Sequence, residues 1–163
     1  MAAIHEIELK EATIEDIPLL ESYFLEDDQY TAMPIDAMTE SLHETQKYPI
    51  LIVKEENLVG FFILQRGKLI KNYPLSEETL FLQNHSIDQR FQKKGYGKLS
   101  MELLPAFIQE KFKDINEVVL TVDYDNLSGQ MLYLKTGFKD TKKRIKEKDT
   151  YKFIYAKKLN STT

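Results

Sequence analysis

The segment Gln92-Lys93-Lys94-Gly95-Tyr96-Gly97-Lys98 constrains this chain most, because of what flanks it. Before it, residues 80–87 read as a strand; after it, Leu99, Leu103, Phe107 and Ile108 recur at helical spacing. Two glycines at a strand–turn–helix junction let the backbone approach a ligand closely, and the first helical turn leaves N–H groups without intrahelical acceptors. With the positive end of the helix dipole added, this is a place for phosphate oxygens. Lys93, Lys94 and Lys98 raise the local positive potential. Two familiar phosphate-binding patterns do not fit. The dinucleotide fingerprint G-x-G-x-x-G needs a third glycine where Ser100 stands, and the next strand lacks an acid placed for a ribose. The P-loop needs G-x-x-x-x-G-K-[ST]; only Gly97-Lys98 matches, and Leu99 fills the hydroxyl position. Taken alone, the junction is equally a structural helix entry.

The rest of the chain supplies the frame. Its 163 residues suit a single domain, 1–163, and 42% hydrophobic content with nine Tyr and nine Phe is enough for one core. Residues 7–12 alternate as a strand. Thr13 caps a helix with Asp16 approximating a capping box, and Ile17, Leu20, Phe24 and Leu25 form the apolar stripe. Pro34 opens a second helix running to Gln46, with Ala37, Met38 and Leu42 inward. Residues 49–53 and 58–65 form a hairpin turning near Glu56-Asn57. Pro105 is expected to bend the helix after the glycines. Residues 117–122 are a strand, 127–135 a helix closed by Gly137, and 138–144 with 151–159 a last hairpin. The order β-α-α-β-β-β-α-β-α-β-β describes a mixed α/β (α+β) fold. It has a sheet of six to seven strands, an antiparallel front, a central βαβ unit and four helices.

Composition excludes several classes of function. No cysteine occurs, which removes disulfides, thiolate metal sites and cysteine nucleophiles. His5, His43 and His85 are too few and too scattered for zinc, so no metal is expected. No apolar run approaches the roughly 20 residues that span a bilayer, and the opening MAAIHEIELKEA lacks the features of a signal peptide. The expectation is a cytoplasmic protein with no membrane partner. The net charge of -4 conceals an asymmetry: residues 1–56 hold 14 Asp and Glu against 3 Lys, the remainder 12 acids against 19 Lys and Arg. Two solvated faces explain this as well as a ligand does. The functional reading gives the back portion an anionic ligand and the front portion a cationic one. The acidic total argues against nucleic acid, and residues 138–159 read as a half-buried hairpin.

Further along comes Asn126-Leu127-Ser128-Gly129-Gln130-Met131-Leu132-Tyr133-Leu134-Lys135-Thr136-Gly137-Phe138. The Q-x-x-G-x-G junction resembles the acetyl-coenzyme A motif of the GNAT superfamily of N-acetyltransferases. The later segment resembles that superfamily's second signature, N-x-x-A-x-x-L-Y-x-K-x-G-F, departing only at Gly129. The resemblance implies an acyltransferase with acetyl-CoA as cosubstrate, no metal, and direct attack on the acetyl thioester by a primary amine of a small molecule or peptide. It implies that the backbone at His85 and Ile87 pairs with pantetheine amides. Amides of Gln92, Lys93, Lys94, Gly95, Tyr96, Gly97 and Lys98 would cradle the pyrophosphate. Asn126 would bond near the pantetheine arm, Lys135 would lie near the nucleotide end, and Tyr133 would serve the thioester sulfur as general acid. Without the motif, Tyr133 reads as a core aromatic, Asn126 as a helix cap and Lys135 as a solvated lysine.

An ammonium has no lone pair, so a base must take a proton before attack. Residues 80–87 contain no Asp or Glu, which leaves His85 and Asp123 as candidates. The alternative is a GNAT-like module that holds an acyl-coenzyme A without catalysis; Tyr133 beside an intact Q-x-x-G-x-G favours the enzyme. The resemblance implies that the amine enters over the first two helices and their connecting loop. From Glu11 to Gln46 there is no Lys or Arg, but there are Glu21, Glu26, Asp27, Asp28, Tyr30, Asp36, Glu40 and Glu44. A cationic acceptor, such as a polyamine or a Lys-rich peptide end, is the expectation. The acceptor's identity and a homodimeric state are left open.

Overall fold

A computed structural model describes residues 7–26, 29–67, 69–70 and 73–159. The expectations for His5, Asp27 and Asp28 lie outside the described residues. In chain order the elements are β1 (Glu8–Glu11), α1 (Ile17–Glu21), α2 (Pro34–Ser41), β2 (Lys47–Lys54), β3 (Asn57–Arg66), β4 (Leu69–Ile70) and β5 (Tyr73–Pro74). There follow β6 (Thr79–Ile87), α3 (Tyr96–Lys111), β7 (Glu117–Asp123), α4 (Leu127–Lys135), β8 (Lys139–Lys146) and β9 (Tyr151–Lys158). Seven strands form one sheet in the order β1-β2-β3-β6-β7-β9-β8; only β6 and β7 run parallel. The mixed sheet, its antiparallel front and the central βαβ unit agree with the sequence. The two-residue pair β4–β5 has no counterpart in the periodicity.

Both faces of the sheet are covered, which is why β3 is buried along almost its whole length. Phe62 and Leu64 pack with Met101, Leu104 and Ile108 of α3, whereas Phe61 and Ile63 pack with Leu20 of α1 and Met38 of α2. The capping box forms as expected: Asp16 accepts the Thr13 N–H at 2.8 Å, and Thr13 accepts from Glu15. It closes a short 3-10 turn at residues 14–16 that leads into α1. Other details differ. Chain departure at Ser22 leaves Phe24 outside α1 and exposed, and α2 ends at Ser41 with Leu42 exposed. The β2–β3 turn sits at Glu55-Glu56, where Glu55 has a left-handed φ of 58°. Helix α3 runs unbroken through Pro105. Burial of Met101, Leu104, Phe107 and Ile108 outweighs the roughly 3 kcal/mol that an interior proline costs.

One irregularity in β6 aims the site. Leu80 and Leu82 face α3, as alternation requires, and Phe81 faces the other side. Between Phe61 and Ile63 the β3–β6 register slips by one, and Asn84 has φ 59°. The extra residue is a β-bulge, and it inverts the parity of the strand beyond it. His85 and Ile87 therefore return to the α3 side, while Ser86 turns to the opposite face and bonds the Tyr23 hydroxyl at 2.8 Å. Asn tolerates this conformation better than most residues. Asn84→Gly should keep the bulge, whereas Asn84→Val should lower stability by about 1–2 kcal/mol or more, a β-branched residue being poorly suited to left-handed backbone. Urea denaturation midpoints of the two variants measure this directly.

Candidate active site

The β6–β7 ladder runs from Thr79 opposite Glu117 to Leu82 opposite Leu120, and there it stops. Beyond that point β6 continues against β3 to Ile87, and β7 continues against β9 to Asp123. The strands splay, and a cleft of about 880 Å³ opens between them. The β6 edge facing β7 is unpaired from Gln83 onward, so an extended ligand with amides can add to it as a strand does.

At the end of β6 the chain enters the glycine junction. Asp88 is fully enclosed and accepts from the N–H groups of Arg90 and Phe24 and from the Arg90 guanidinium, whose Nη2 lies at 2.7 Å. Arg90 also donates to the Ser22 carbonyl, so this loop and the end of α1 are one unit. Burial alone would raise the Asp88 carboxyl, but Arg90 and the two backbone donors hold it below the usual carboxylate range. Gln92 donates to the Ile87 carbonyl at 2.8 Å and fastens the junction to the strand. Lys93 and Gly95 both have left-handed φ, 64° and 87°. The backbone N–H groups of residues 93–98 find no acceptor among the described residues. Successive amides in such a turn, ending at a helix N-terminus, form an anion-binding concavity. Gln92, Lys93, Gly95, Gly97 and Lys98 line the cleft, as does Tyr96, whose ring belongs to the core. Lys94 and Lys135 are exposed and are not part of its wall, Lys135 lying in the last turn of α4 at the far end from Asn126.

Deeper in, His85 and Tyr133 meet. Nδ1 of His85 lies 3.0 Å from the Tyr133 hydroxyl, and Nε2 lies 3.0 Å from the Ser100 hydroxyl. Ser100 donates to the Gly97 carbonyl at 2.7 Å. The His85 ring stands edge-on to Phe62, and the Tyr133 ring edge-on to Phe138. Burial lowers His85 to about 4 and raises the Tyr133 phenol, so both are neutral at ordinary pH. Both ring nitrogens of His85 are thus engaged. Asp123 lies on the cleft wall, with the Lys152 ammonium 3.8 Å from its carboxylate. Asn126 caps α4 by accepting the Gly129 N–H at 3.0 Å and also lines the cleft, so cap and wall are one residue. Of the acids at the front, Glu26 reaches the wall together with Tyr30; Glu21, Asp36, Glu40 and Glu44 are exposed elsewhere on the first two helices and after them. Among the described residues no group of three His, Asp or Glu is placed to hold a metal ion.

Ser100, Asn84 and the Asp88–Arg90 pair help shape the surroundings of the cleft, and the sequence did not single them out. Ser100 stood in plain view as the residue that spoils a dinucleotide fingerprint. With this geometry in place, comparisons with known proteins are consistent across sequence and structure. Residues 3–138 match the model of the acetyltransferase (GNAT) family. A protein of Bacillus subtilis (strain 168), described as an uncharacterized N-acetyltransferase, YbbJ, is 35% identical over 133 residues, covering 80% of this chain and 83% of that one. A chimera of spermidine N-acetyltransferase SpeG from Vibrio cholerae superposes with a TM-score of 0.70 at 12% identity, covering 94% and 96% of the two chains. A GNAT-family acetyltransferase from Streptococcus pneumoniae gives 0.68 at 18% identity, covering 95% and 100%. At such identities these structures share the fold.

The two glycines of the junction have separable roles. At Gly95 nothing lies within 4 Å of an added Cβ, but φ is 87°. At Gly97 the backbone is ordinary helix, and a Cβ would meet only Leu132 at 3.6 Å and Ile87 at 3.7 Å, normal contacts. Gly95→Ala should therefore lose about 1–2 kcal/mol of stability through left-handed strain. Gly97→Ala should match or exceed the parent's stability, since Ala is favoured over Gly within a helix by about 1 kcal/mol. Gly97 lines the cleft, so if this wall receives the phosphates of a ligand, as the sequence resemblance implies, the added methyl group should weaken acetyl-coenzyme A binding about tenfold. Thermal unfolding beside calorimetric titration separates the two effects.

Proposed function

The chain belongs to the acetyltransferase (GNAT) family, and we propose that it moves the acetyl group of acetyl-coenzyme A onto a cationic primary amine. One observation carries the reading: residues 93 and 95–98, whose N–H groups find no acceptor among the described residues, the open edge of β6 and Tyr133 all border a single cleft. A diphosphate fits the first, a chain of amides the second, and a thioester beside Tyr133 completes the ligand. Its dimensions suit the site, since a cleft of about 880 Å³ is in the range of cofactor-sized pockets. The proposed setting is cytoplasmic; no described helix is long and apolar enough to cross a membrane.

An ammonium acceptor first gives a proton to Asp123, the candidate base with a carboxylate on the wall, and through it to solvent. The freed lone pair forms a C–N bond to the carbonyl carbon. The C–S bond then breaks with its electron pair on sulfur, and the Tyr133 proton passes to that sulfur. The proton shed by the new amide nitrogen restores the phenol. His85 is the weaker candidate for base, because both of its nitrogens are already engaged and burial disfavours its charged form.

Tyr133→Phe keeps the ring against Phe138 and removes the hydroxyl. Turnover should fall by roughly 10²- to 10⁴-fold, the usual range for general acid–base catalysis, with acetyl-coenzyme A affinity little changed. A thiol-release assay alongside titration reads both, and binding with no release on any amine in the parent would favour the non-catalytic module. Acceptor charge is tested separately. Glu26 and Asp123 on the wall, with the acidic helices behind them, should speed the encounter of a cation. For the best acceptor in an amine panel, kcat/KM should fall as salt is added, because screening shortens the reach of that field. A preferred acceptor with net negative charge would defeat this part of the reading.

A further inference from the structure

Three hydrogen bonds in series join the first turn of α3 to the Tyr133 hydroxyl, and the hydrogens along them can be counted. Ser100 is completely buried and has one hydroxyl hydrogen, which goes to the Gly97 carbonyl 2.7 Å away, since a carbonyl only accepts. The 3.0 Å contact between the Ser100 oxygen and His85 Nε2 is then a bond donated by Nε2. A neutral imidazole carries a single N–H, so Nδ1 is bare. The 3.0 Å contact at Nδ1 is therefore donated by Tyr133. The enclosing rings of Phe62 and Phe138 hold both side chains in place, and burial keeps the imidazole neutral.

We propose that Ser100 is a positioning residue for catalysis: through His85 it locks the Nε2–H tautomer and so keeps the Tyr133 hydroxyl hydrogen on Nδ1 until a thiolate forms in the cleft. A neutral thioester sulfur is a poor acceptor and does not draw that hydrogen away. A departing thiolate is charged, and a charge-assisted bond is roughly twice as strong as a neutral one. The Tyr133 O–H therefore turns from Nδ1 to sulfur, and gives its hydrogen to sulfur, only as the C–S bond breaks. What the thiolate bond gains over the Nδ1 bond it replaces is realised only in the transition state, so it acts on kcat rather than on substrate affinity. With the opposite tautomer, Nδ1–H would donate to the phenol oxygen, and the Tyr133 hydrogen would have no fixed acceptor to orient it before the thiolate forms. Ser100 achieves this from the third position of G-x-G-x-x-S, without touching the substrate.

The inference rests on the reading of Tyr133 as the proton donor to sulfur, and one of its tests needs no substrate. Nitrogen NMR of histidine-labelled, ligand-free protein distinguishes the two tautomers. In the parent His85 should be protonated at Nε2 and bare at Nδ1, and Ser100→Thr, which keeps the hydroxyl, should preserve that pattern. Ser100→Ala should move the ring toward Nδ1–H and lower kcat about tenfold with KM for acetyl-coenzyme A unchanged. His85→Asn places an amide oxygen where Nδ1 was, an acceptor whatever Ser100 does. In that background, adding Ser100→Ala should cause no further fall in kcat. An Nδ1–H or charged ring in the parent, an unchanged tautomer in Ser100→Ala, or an equal kcat loss in both backgrounds would overturn the lock. If Tyr133→Phe leaves turnover intact while the tautomers behave as stated, the failure lies with the reading of Tyr133 instead.

Discussion

The site exists because a parallel pairing is abandoned partway along its length. Strands β6 and β7 share only the ladder from Thr79 to Leu82 and from Glu117 to Leu120, yet each has a longer antiparallel partner on its other side. Antiparallel pairing is the more stable per residue, so each strand follows its outer partner and the central seam opens. Opening the seam strands backbone N–H and C=O groups, which need water or a ligand in place of a neighbouring strand. The same strand end delivers the chain to the junction where the amides of residues 93–98 find no acceptor among the described residues. A ligand rich in amides at one end and phosphate at the other completes both deficits at once.

Asp88 joins this seam to the opposite face of the sheet. Its carboxylate ties the Arg90 loop to Phe24, and Arg90 reaches the Ser22 carbonyl, so the acidic segment after α1 is held beside the cleft. Because the folded state depresses its pKa, Asp88 contributes stability at neutral pH that is lost as pH falls through the lowered value. The Tyr30 hydroxyl donates to the Asp125 carbonyl across the mouth, a second link between the front of the chain and the β7–α4 turn. The acidic front and the basic back noted in the sequence therefore meet at one place. The glycine junction and Glu26 line the same opening.

The features legible in the sequence were those that depend on local chemistry. Thr13 with Asp16, Gly95 and Gly97 after a strand, and Asn126 before α4 each act within a few residues, and each stands where the local pattern puts it. The features that were not legible depend on partners distant in the chain. Nothing around Asn84 marks a bulge, because the slip arises against Phe61 and Ile63. Helical spacing placed Phe24 and Leu42 inward, but both helices stop short once their buried stripes have met β2 and β3. Lys135 fits its signature by position, yet its place in the last turn of α4 points it to solvent. Ser100 and His85 gained meaning only when the bulge turned His85 toward α3.

The single departure from the second signature is coupled to the residue that opens it. A Cβ at Gly129 would lie 2.6 Å from Asn126 Nδ2 and 2.9 Å from its Cγ, closer than real contacts allow. Asn126 folds into the space that alanine would fill, and there it accepts the Gly129 N–H. The smaller residue thus lets the asparagine close over the first turn as a cap, offsetting the helix propensity that glycine forfeits. Where α4 begins decides where Tyr133, seven residues later and so two turns along the same face, projects. The register of the cap and the register of the phenol against His85 are consequently one quantity. An alanine at Gly129 would have to displace Asn126, and any shift of the first turn would be transmitted along the helix to the Tyr133 hydroxyl beside His85.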